Sequence, residues 1–229
     1  MLRVRSVWRR RLAELPLRRY AVAWVYLGCF AVVQVCYALL APRAQASFVT
    51  WASTSAANLE HDPAGSLVLS AFVSGGGAGS LLSWLPTIAI AMFGACAAVG
   101  GWRTVAVCAA GHVAGTLVSE GIVAWRVASG ALPVSYRHLV DVGPSYVAVS
   151  ALVVTLLCGS RWWRVLAALD LLLLVFPGRI FAGLTNLDVS AVGHFTAIVT
   201  AIACTPLLTR FHHQPRPHHR RRPDQRRGA

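Results

Sequence analysis

Ser145 and His194 are the two residues of this chain whose types and positions best fit catalytic chemistry. Ser145 ends the stretch Asp141-Val-Gly-Pro-Ser145, where a polar loop turns into a short apolar segment, and His194 lies shallowly inside a later apolar segment. An ionisable side chain inside a membrane helix is energetically expensive and is commonly functional. A histidine within reach of a serine can take its hydroxyl proton, so the pair predicts a serine nucleophile with a histidine base.

The composition predicts a protein embedded in a membrane. Of the 229 residues, 56% are hydrophobic and only 13% are charged. Several apolar runs reach the roughly 20 residues that a helix needs to cross a bilayer, which excludes an ordinary soluble domain. The net charge of +13 is concentrated near the two termini. We therefore expect anionic lipid headgroups at the termini as partners, and no nucleic acid.

Apolar runs and the breaks between them predict an all-α, polytopic bundle of six transmembrane helices. The fourth run has about 14 residues and would rise only about 21 Å as a helix, so its outer end should begin below the membrane surface. The apolar piece Ser66–Val73 is too short to span and should lie re-entrant or interfacial. The six runs are Tyr20–Ala41, Leu82–Gly100, Thr104–Ala124, Ser145–Cys158, Arg164–Phe181 and Val189–Leu208.

Three segments follow from this division of the chain. Residues 1–19 form a basic cytoplasmic arm, residues 20–208 form the membrane domain, and residues 209–229 form a tail rich in Arg, His and Pro. The tail has almost no apolar residues to bury and should be disordered. Its paired histidines could bind divalent metals, but a solvated basic tail is the simpler interpretation. No metal site and no cofactor are expected.

The arginines predict that both termini lie in the cytoplasm of a multi-pass plasma membrane protein. With the N-terminus inside, 17 arginines fall on the cytoplasmic side and only 4 fall outside, at Arg43, Arg126, Arg137 and Arg179. This asymmetry fits the positive-inside rule and requires an even number of spans. An alternative is a cleaved secretory signal ending at Ala44-Gln-Ala46, although its apolar stretch of about 22 residues exceeds the usual core of 7–15.

Helix geometry predicts that Ser145 and His194 lie at the same depth. The fourth and sixth runs both go from outside to inside, and His194 follows about six residues after the start of the sixth. At 1.5 Å per residue this places His194 about 9 Å below the outer end, a depth that the short fourth helix also gives Ser145. The structural alternatives are a serine that caps a helix and a histidine that is only hydrogen-bonded.

Three local patterns resemble the rhomboids, the six-helix intramembrane serine proteases, and most closely the divergent rhomboid-like proteins of actinobacteria. Gly143-Pro-Ser145 is similar to the start of the rhomboid Gly-x-Ser-Gly motif. Gly193-His194, followed by Ala197 and Ala201, is similar to the small-His-x-x-Gly-x-x-x-Gly pattern of the sixth rhomboid helix. The segment Pro63–Phe72 looks like the loop that precedes the second rhomboid helix.

The resemblance implies a rhomboid-like bundle in which Ser145 is the nucleophile and His194 the general base of a dyad that cleaves membrane-anchored protein substrates. Two departures point the other way. Tyr146 replaces the second glycine of the motif, and Val73–Trp84 lacks the His and Asn that help rhomboids to bind the oxyanion. Losing an oxyanion donor typically costs 10²–10³-fold in rate. The alternative is a proteolytically inactive rhomboid-like protein that binds membrane-protein clients.

Other polar residues are candidates for auxiliary roles. Gly143, Tyr146 and Asp141 flank Ser145, and His112 and Glu120 lie on the predicted third helix. On that helix His112, Thr116, Ser119 and Glu120 share one face beside the small residues Gly111 and Gly115, which predicts a packing seam with a paired buried carboxylate or, alternatively, a second polar cluster near the site.

Two further predictions concern polar or reactive residues inside apolar runs. Asp170 stands alone among leucines and should face the bundle interior with a partner. The six cysteines lack paired spacing and are predicted to be small buried residues, not disulfides or zinc ligands.

Overall fold

The structure is a computed structural model that describes residues 16–75 and 77–210, and every regular element in those ranges is helical. The all-α fold is therefore confirmed for this part of the chain. Residues 1–15 of the predicted arm and residues 211–229 of the predicted tail lie outside the described residues. The helices are α1 (Pro16–Arg19), α2 (Ala21–Ala38), α3 (Pro42–Ala52), α4 (Ala56–His61), α5 (Pro63–Ser70), α6 (Gly77–Val99), α7 (Gly101–Ala128), α8 (Ser145–Cys158), α9 (Arg161–Val175) and α10 (Val189–Arg210), with 3-10 turns at Val134–His138 and Leu184–Asn186.

Four of the described helices, α2, α6, α7 and α10, are long and apolar enough to cross a membrane. The chain is thus a multi-pass membrane protein. Helix α8 has the predicted bounds and 14 residues, and α9 has 15 residues. Both are shorter than the roughly 20 residues of a typical span, so the count of six spans remains a prediction.

The connection between α2 and α6 contains three short helices, where the sequence indicated one short apolar piece. Ser55 caps α4 by accepting a hydrogen bond from the Asn58 backbone N–H. Asp62 caps α5 by accepting a hydrogen bond from the Gly65 backbone N–H, and Pro63 follows at the first helical position. These side chains satisfy N–H groups that have no partner within the helix, which explains where the two helices begin.

Helix α8 lies at the centre of the bundle. All ten residues from Tyr146 to Thr155 are buried, and α8 packs against α6, α7, α9 and α10. Small residues on the neighbouring helices allow this close approach, since a Cβ on Gly94 of α6 would overlap Thr155 and a Cβ on Gly111 of α7 would overlap the Ser150 hydroxyl. Helix α8 carries no charged side chain, so enclosing it among four helices leaves no charge unpaired.

The predicted small-residue seam of α7 is confirmed, whereas a hydrogen-bonded partner for its buried carboxyl is not found, since neither oxygen of Glu120 has one within the described residues. A Cβ on Gly115 would lie only 2.8 Å from the carbonyl oxygen of Gly193 on α10. His112, Thr116, Ser119 and Glu120 are all buried along the same face. Glycine at position 115 lets the backbones of α7 and α10 touch, which is the usual way in which membrane helices pack closely.

The cysteines agree only in part with the prediction. All six are free, and Cys96 and Cys108 are buried. The prediction is wrong for Cys29 and Cys36, which are exposed on α2. Helix α2 lies at the edge of the bundle and buries only Ala23, Phe30, Gln34 and Tyr37, so the cysteines fall on its outer face.

Asp170 has the interior position and the partner that were predicted. It is buried on α9, and its Oδ1 accepts a hydrogen bond of 2.9 Å from Thr87 Oγ1 on α6. We expect Asp170→Ala to lower the free energy of unfolding by about 1 kcal/mol, because hydrogen bonds between membrane helices have about that strength. Asp170→Asn keeps an acceptor for Thr87 and should change stability less. Thermal unfolding in detergent measures both variants, and equal losses would show that the hydrogen bond contributes nothing.

Candidate functional site

Ser145 is the first residue of α8, and the loop before it is fixed to the segment between α3 and α5. The Asp141 backbone N–H donates to Ser53 Oγ (2.9 Å), and its carbonyl accepts from the Thr54 N–H (2.9 Å). The Gly143 N–H donates to the Ser70 carbonyl (3.0 Å). Gly143 has a φ of 145°, a conformation that favours glycine. The start of α8 is therefore held in one place by backbone contacts.

His194 is buried on α10 and is 4% exposed. Its Nδ1 lies 3.3 Å from the hydroxyl of Ser190, one turn earlier on the same helix. Its Nε2 has no hydrogen-bond partner within the described residues, although the backbone of Ile180 is close to the ring. The rings of His194 and Tyr146 pack edge-to-face, with centroids 5.0 Å apart.

Tyr146 is fixed by several contacts at the centre of the site. Its hydroxyl donates to Asp141 Oδ2 at 3.1 Å, with the Val189 carbonyl as a longer alternative acceptor at 3.4 Å. The His112 ring lies on another side, with centroids 6.0 Å apart. On the α10 side, a Cβ on Gly193 would overlap the Tyr146 ring and hydroxyl. Glycine at this position therefore makes the space that Tyr146 fills.

The orientation of Tyr146 determines where Ser145 points. Successive helical residues project about 100° apart, so Ser145 and Tyr146 leave α8 in different directions, and Tyr146 is the one that packs against His194. Ser145 is half-buried, and within the described residues no hydrogen bond joins its hydroxyl to the His194 ring. The two residues lie near the same end of the adjacent helices α8 and α10.

The remaining auxiliary candidates surround Tyr146. His112 Nε2 donates to the Leu67 carbonyl (2.9 Å) and lies 3.2 Å from Ser70 Oγ. Glu120 is 2% exposed, and neither carboxyl oxygen has a partner with hydrogen-bond geometry in the described part of the chain. The carboxyl groups of Asp141 and Glu120 are close enough for their negative charges to repel each other. His112, Glu120 and Asp141 therefore form, with Tyr146, one buried polar group between α7, α8 and α10.

Val73–Trp84, the segment that lacks the His and Asn of rhomboids, contains serines whose hydroxyls are hydrogen-bonded to other side chains. Ser74 Oγ donates to Gln34 Oε1 on α2 (3.0 Å), and Ser80 Oγ donates to Ser74 Oγ (2.6 Å). These hydroxyls connect α2 to the start of α6. Within residues 16–75 and 77–210, no three His, Cys, Asp or Glu side chains are grouped so that they could hold a metal ion.

Sequence reasoning missed four residues of this site: Ser53, Thr54, Ser70 and Ser190. The first three contact residues far away in sequence, and no local pattern signals such contacts. Ser190 precedes His194 by four residues, a spacing that places two side chains on the same helix face. This spacing was the one signal in the sequence that could have identified any of the four residues, and it indicates Ser190 as a partner of His194 on the same helix.

Asp141 is expected to make stability depend on pH. Burial raises the pKa of its carboxyl to about 6, although hydrogen bonds from Tyr146 and Thr54 lower it. An acid with a raised pKa favours the folded state while it is protonated, so this contribution is lost as the pH rises through about 6. Lowering the pH from about 7 to about 5 should stabilise the wild type by about 1–2 kcal/mol relative to Asp141→Asn. Melting curves of the two proteins across this range test the effect, and parallel curves would contradict it.

Comparison with known proteins agrees with this architecture. A family model described as Rhomboid-like protein matches residues 16–214. No curated protein and no solved structure matches the chain. The matched range contains all ten helices and both Ser145 and His194. The chain therefore belongs to the rhomboid-like protein family.

Proposed function

We propose that this rhomboid-like protein binds membrane-anchored client proteins without cleaving them. The observation that supports this is the surroundings of His194. Its ring packs against Tyr146 and is at hydrogen-bond distance from the Ser190 hydroxyl, and within the described residues no hydrogen bond joins it to Ser145. A base activates a serine through a hydrogen bond to its hydroxyl, and within the described residues none joins His194 to Ser145. The fold of the family is then used for recognition within the membrane.

Helix α9 offers an apolar surface for a client helix. Only Ala167 and Asp170 of α9 are buried. Its outer face presents large apolar side chains: Val165, Leu166, Leu169, Leu172, Leu173 and Phe176. A transmembrane segment can pack on such a face by van der Waals contact.

Site-specific photocrosslinking tests the binding surface. A photoreactive amino acid at Leu172 should give discrete crosslinks to membrane-anchored proteins in cells that express the protein. The matched control is Val32 on α2, which is 62% exposed compared with 51% for Leu172. Since both positions are exposed on membrane helices, only a specific surface makes them differ. Equal crosslinking at the two positions would contradict a client site on α9.

The second candidate is an intramembrane serine protease. His194 would take the Ser145 proton, the hydroxyl oxygen would attack a peptide carbonyl of a membrane-anchored substrate, and water would hydrolyse the resulting acyl-enzyme. The position of Ser145 at the start of α8, next to the residue that contacts His194, favours this candidate. A serine-directed covalent probe separates the two functions, because only an activated serine reacts readily.

We also propose that the protein lies in the plasma membrane with both termini in the cytoplasm. The support is the distribution of 17 arginines on one side against 4 on the other. Reporter fusions after Arg19 and after Leu208 should both report the cytoplasm, and a fusion within Ala128–Leu139 should report the opposite side. Opposite locations for the first two would require an odd number of spans.

A further inference from the structure

A cavity of about 350 Å³ lies between α2, α5, α6, α7 and α8, and His112, whose ring lies 6.0 Å from that of Tyr146 between centroids, forms part of its wall. This volume is within the range of ligand-binding pockets. Along α7 the cavity runs from Val105 to Val113, eight residues or about 12 Å of helix. Val68, Val105 and Val113 line it and are also exposed on the outer surface of the bundle. The cavity is therefore continuous with the surface that faces the membrane.

The walls of the cavity suit a hydrocarbon chain. Apart from Tyr26 and His112, all the lining side chains are aliphatic, aromatic or sulfur-containing. The Tyr26 hydroxyl already donates to the Ala71 carbonyl (2.7 Å), and His112 Nε2 donates to the Leu67 carbonyl (2.9 Å). No arginine lines the cavity, so a carboxylate inside it would have no opposite charge. The cavity therefore suits an acyl chain, and the charged group of the lipid has to lie outside it.

Two arginines, Arg19 and Arg103, lie along the helices at the level of one end of the cavity and do not line it. Arg19 comes three residues before Val22, and Arg103 comes two residues before Val105. Their guanidinium groups contact carbonyls at the same end of α6, Arg19 at Ala97 (2.9 Å) and Arg103 at Val99 (3.4 Å). Helices α1, α2 and α6 contain no acidic residue, and Glu120, the one acidic residue of α7, lies 17 positions beyond Arg103. Within the described residues neither guanidinium is paired with a carboxylate, and each keeps further N–H donors that suit a phosphate group.

We infer that the protein binds one anionic phospholipid, with an acyl chain in this cavity and the phosphate beside Arg19 and Arg103. Basic pockets between membrane helices are known to bind anionic headgroups. The inference is independent of client binding and of proteolysis, because no lining residue is Ser145, His194 or part of α9.

Photolabelling of the full chain in nanodiscs tests the inference. The probes are phosphatidylglycerol, phosphatidylcholine and free palmitic acid, each with a diazirine on the acyl chain and each diluted into phosphatidylcholine. Phosphatidylglycerol should label segments 67–72 and 105–113, and should do so more strongly than the other two probes. Each arginine changes affinity for anionic lipid about fivefold, so the double variant Arg19→Gln/Arg103→Gln should remove this preference. Arg126→Gln, at the other end of α7, is the matched charge control and should keep it.

Filling the cavity gives a second test that does not depend on charge. Ala109 lines the cavity and is exposed, so Ala109→Trp should fold, and it should remove most labelling of both segments. Val118→Trp, on the same helix outside the cavity, should leave the labelling unchanged. If Ala109→Trp does not fold, Ala109→Leu takes its place. Unchanged labelling after filling would overturn the site. Equal labelling by phosphatidylcholine or by palmitic acid would overturn its assignment to an anionic phospholipid.

Discussion

Wild-type protein and Ser145→Ala are expected to react equally, and only at background level, with a fluorophosphonate probe. The probe phosphonylates a serine whose hydroxyl is activated by a neighbouring base. In this structure the His194 ring contacts Tyr146 and Ser190, and Ser145 makes no hydrogen bond with it in the described part of the chain. The measurement is fluorescence of the labelled band after gel electrophoresis, at equal protein concentration in the same detergent.

The labelling experiment needs two controls to decide between the candidate functions. An active rhomboid protease labelled in parallel shows that the conditions support the reaction. His194→Ala distinguishes an activated serine from an accessible one, because nucleophile and base act as a unit and either loss removes most activity. If wild type labels and both Ser145→Ala and His194→Ala lose that labelling, the protein is a protease and the non-proteolytic proposal fails.

The parts of the fold that were predictable from sequence are those determined by apolar runs and by isolated charges. The bounds of α8, Ser145 to Cys158, follow from a run bordered by Pro144 on one side and Gly159 on the other. Asp170 had to face the interior, since a carboxyl group facing lipid is very costly. Thr87 could not be named as its partner, because the two residues are 83 positions apart.

The side chain that contacts His194 could not be predicted, for a physical reason. Helix α8 is apolar on every face, so its periodicity does not indicate which residue points at which neighbour. A rotation by one residue, about 100°, exchanges Ser145 for Tyr146. The structure points Tyr146 at α10, where Gly193 makes room for the ring and Asp141 accepts a hydrogen bond from its hydroxyl. These are contacts between distant segments, and the spacing of residues in one helix does not reveal them.

Gly193→Ala is therefore expected to destabilise the bundle by about 1–3 kcal/mol or more, the usual cost of overpacking a core. The added Cβ would overlap the Tyr146 ring, with Cε1 at 2.7 Å and the hydroxyl end closer still. The ring cannot move away easily, because Asp141 holds its hydroxyl and Gly115 on α7 lies behind it, where a Cβ would be 3.4 Å from Tyr146 Cδ2. Thermal unfolding in detergent, followed by circular dichroism, measures the loss.

The matched control is Gly121→Ala on α7, where a Cβ meets no atom within 4 Å. Replacing an exposed helical glycine by alanine should leave stability unchanged or raise it by up to about 1 kcal/mol. The two substitutions add the same methyl group to a membrane helix, so a difference between them reports the contact with Tyr146. Equal stability of the two variants would mean that Tyr146 does not fill the space beside Gly193. The serine next to it would then be free to turn toward His194, and the argument against a Ser145–His194 dyad would lose its structural basis.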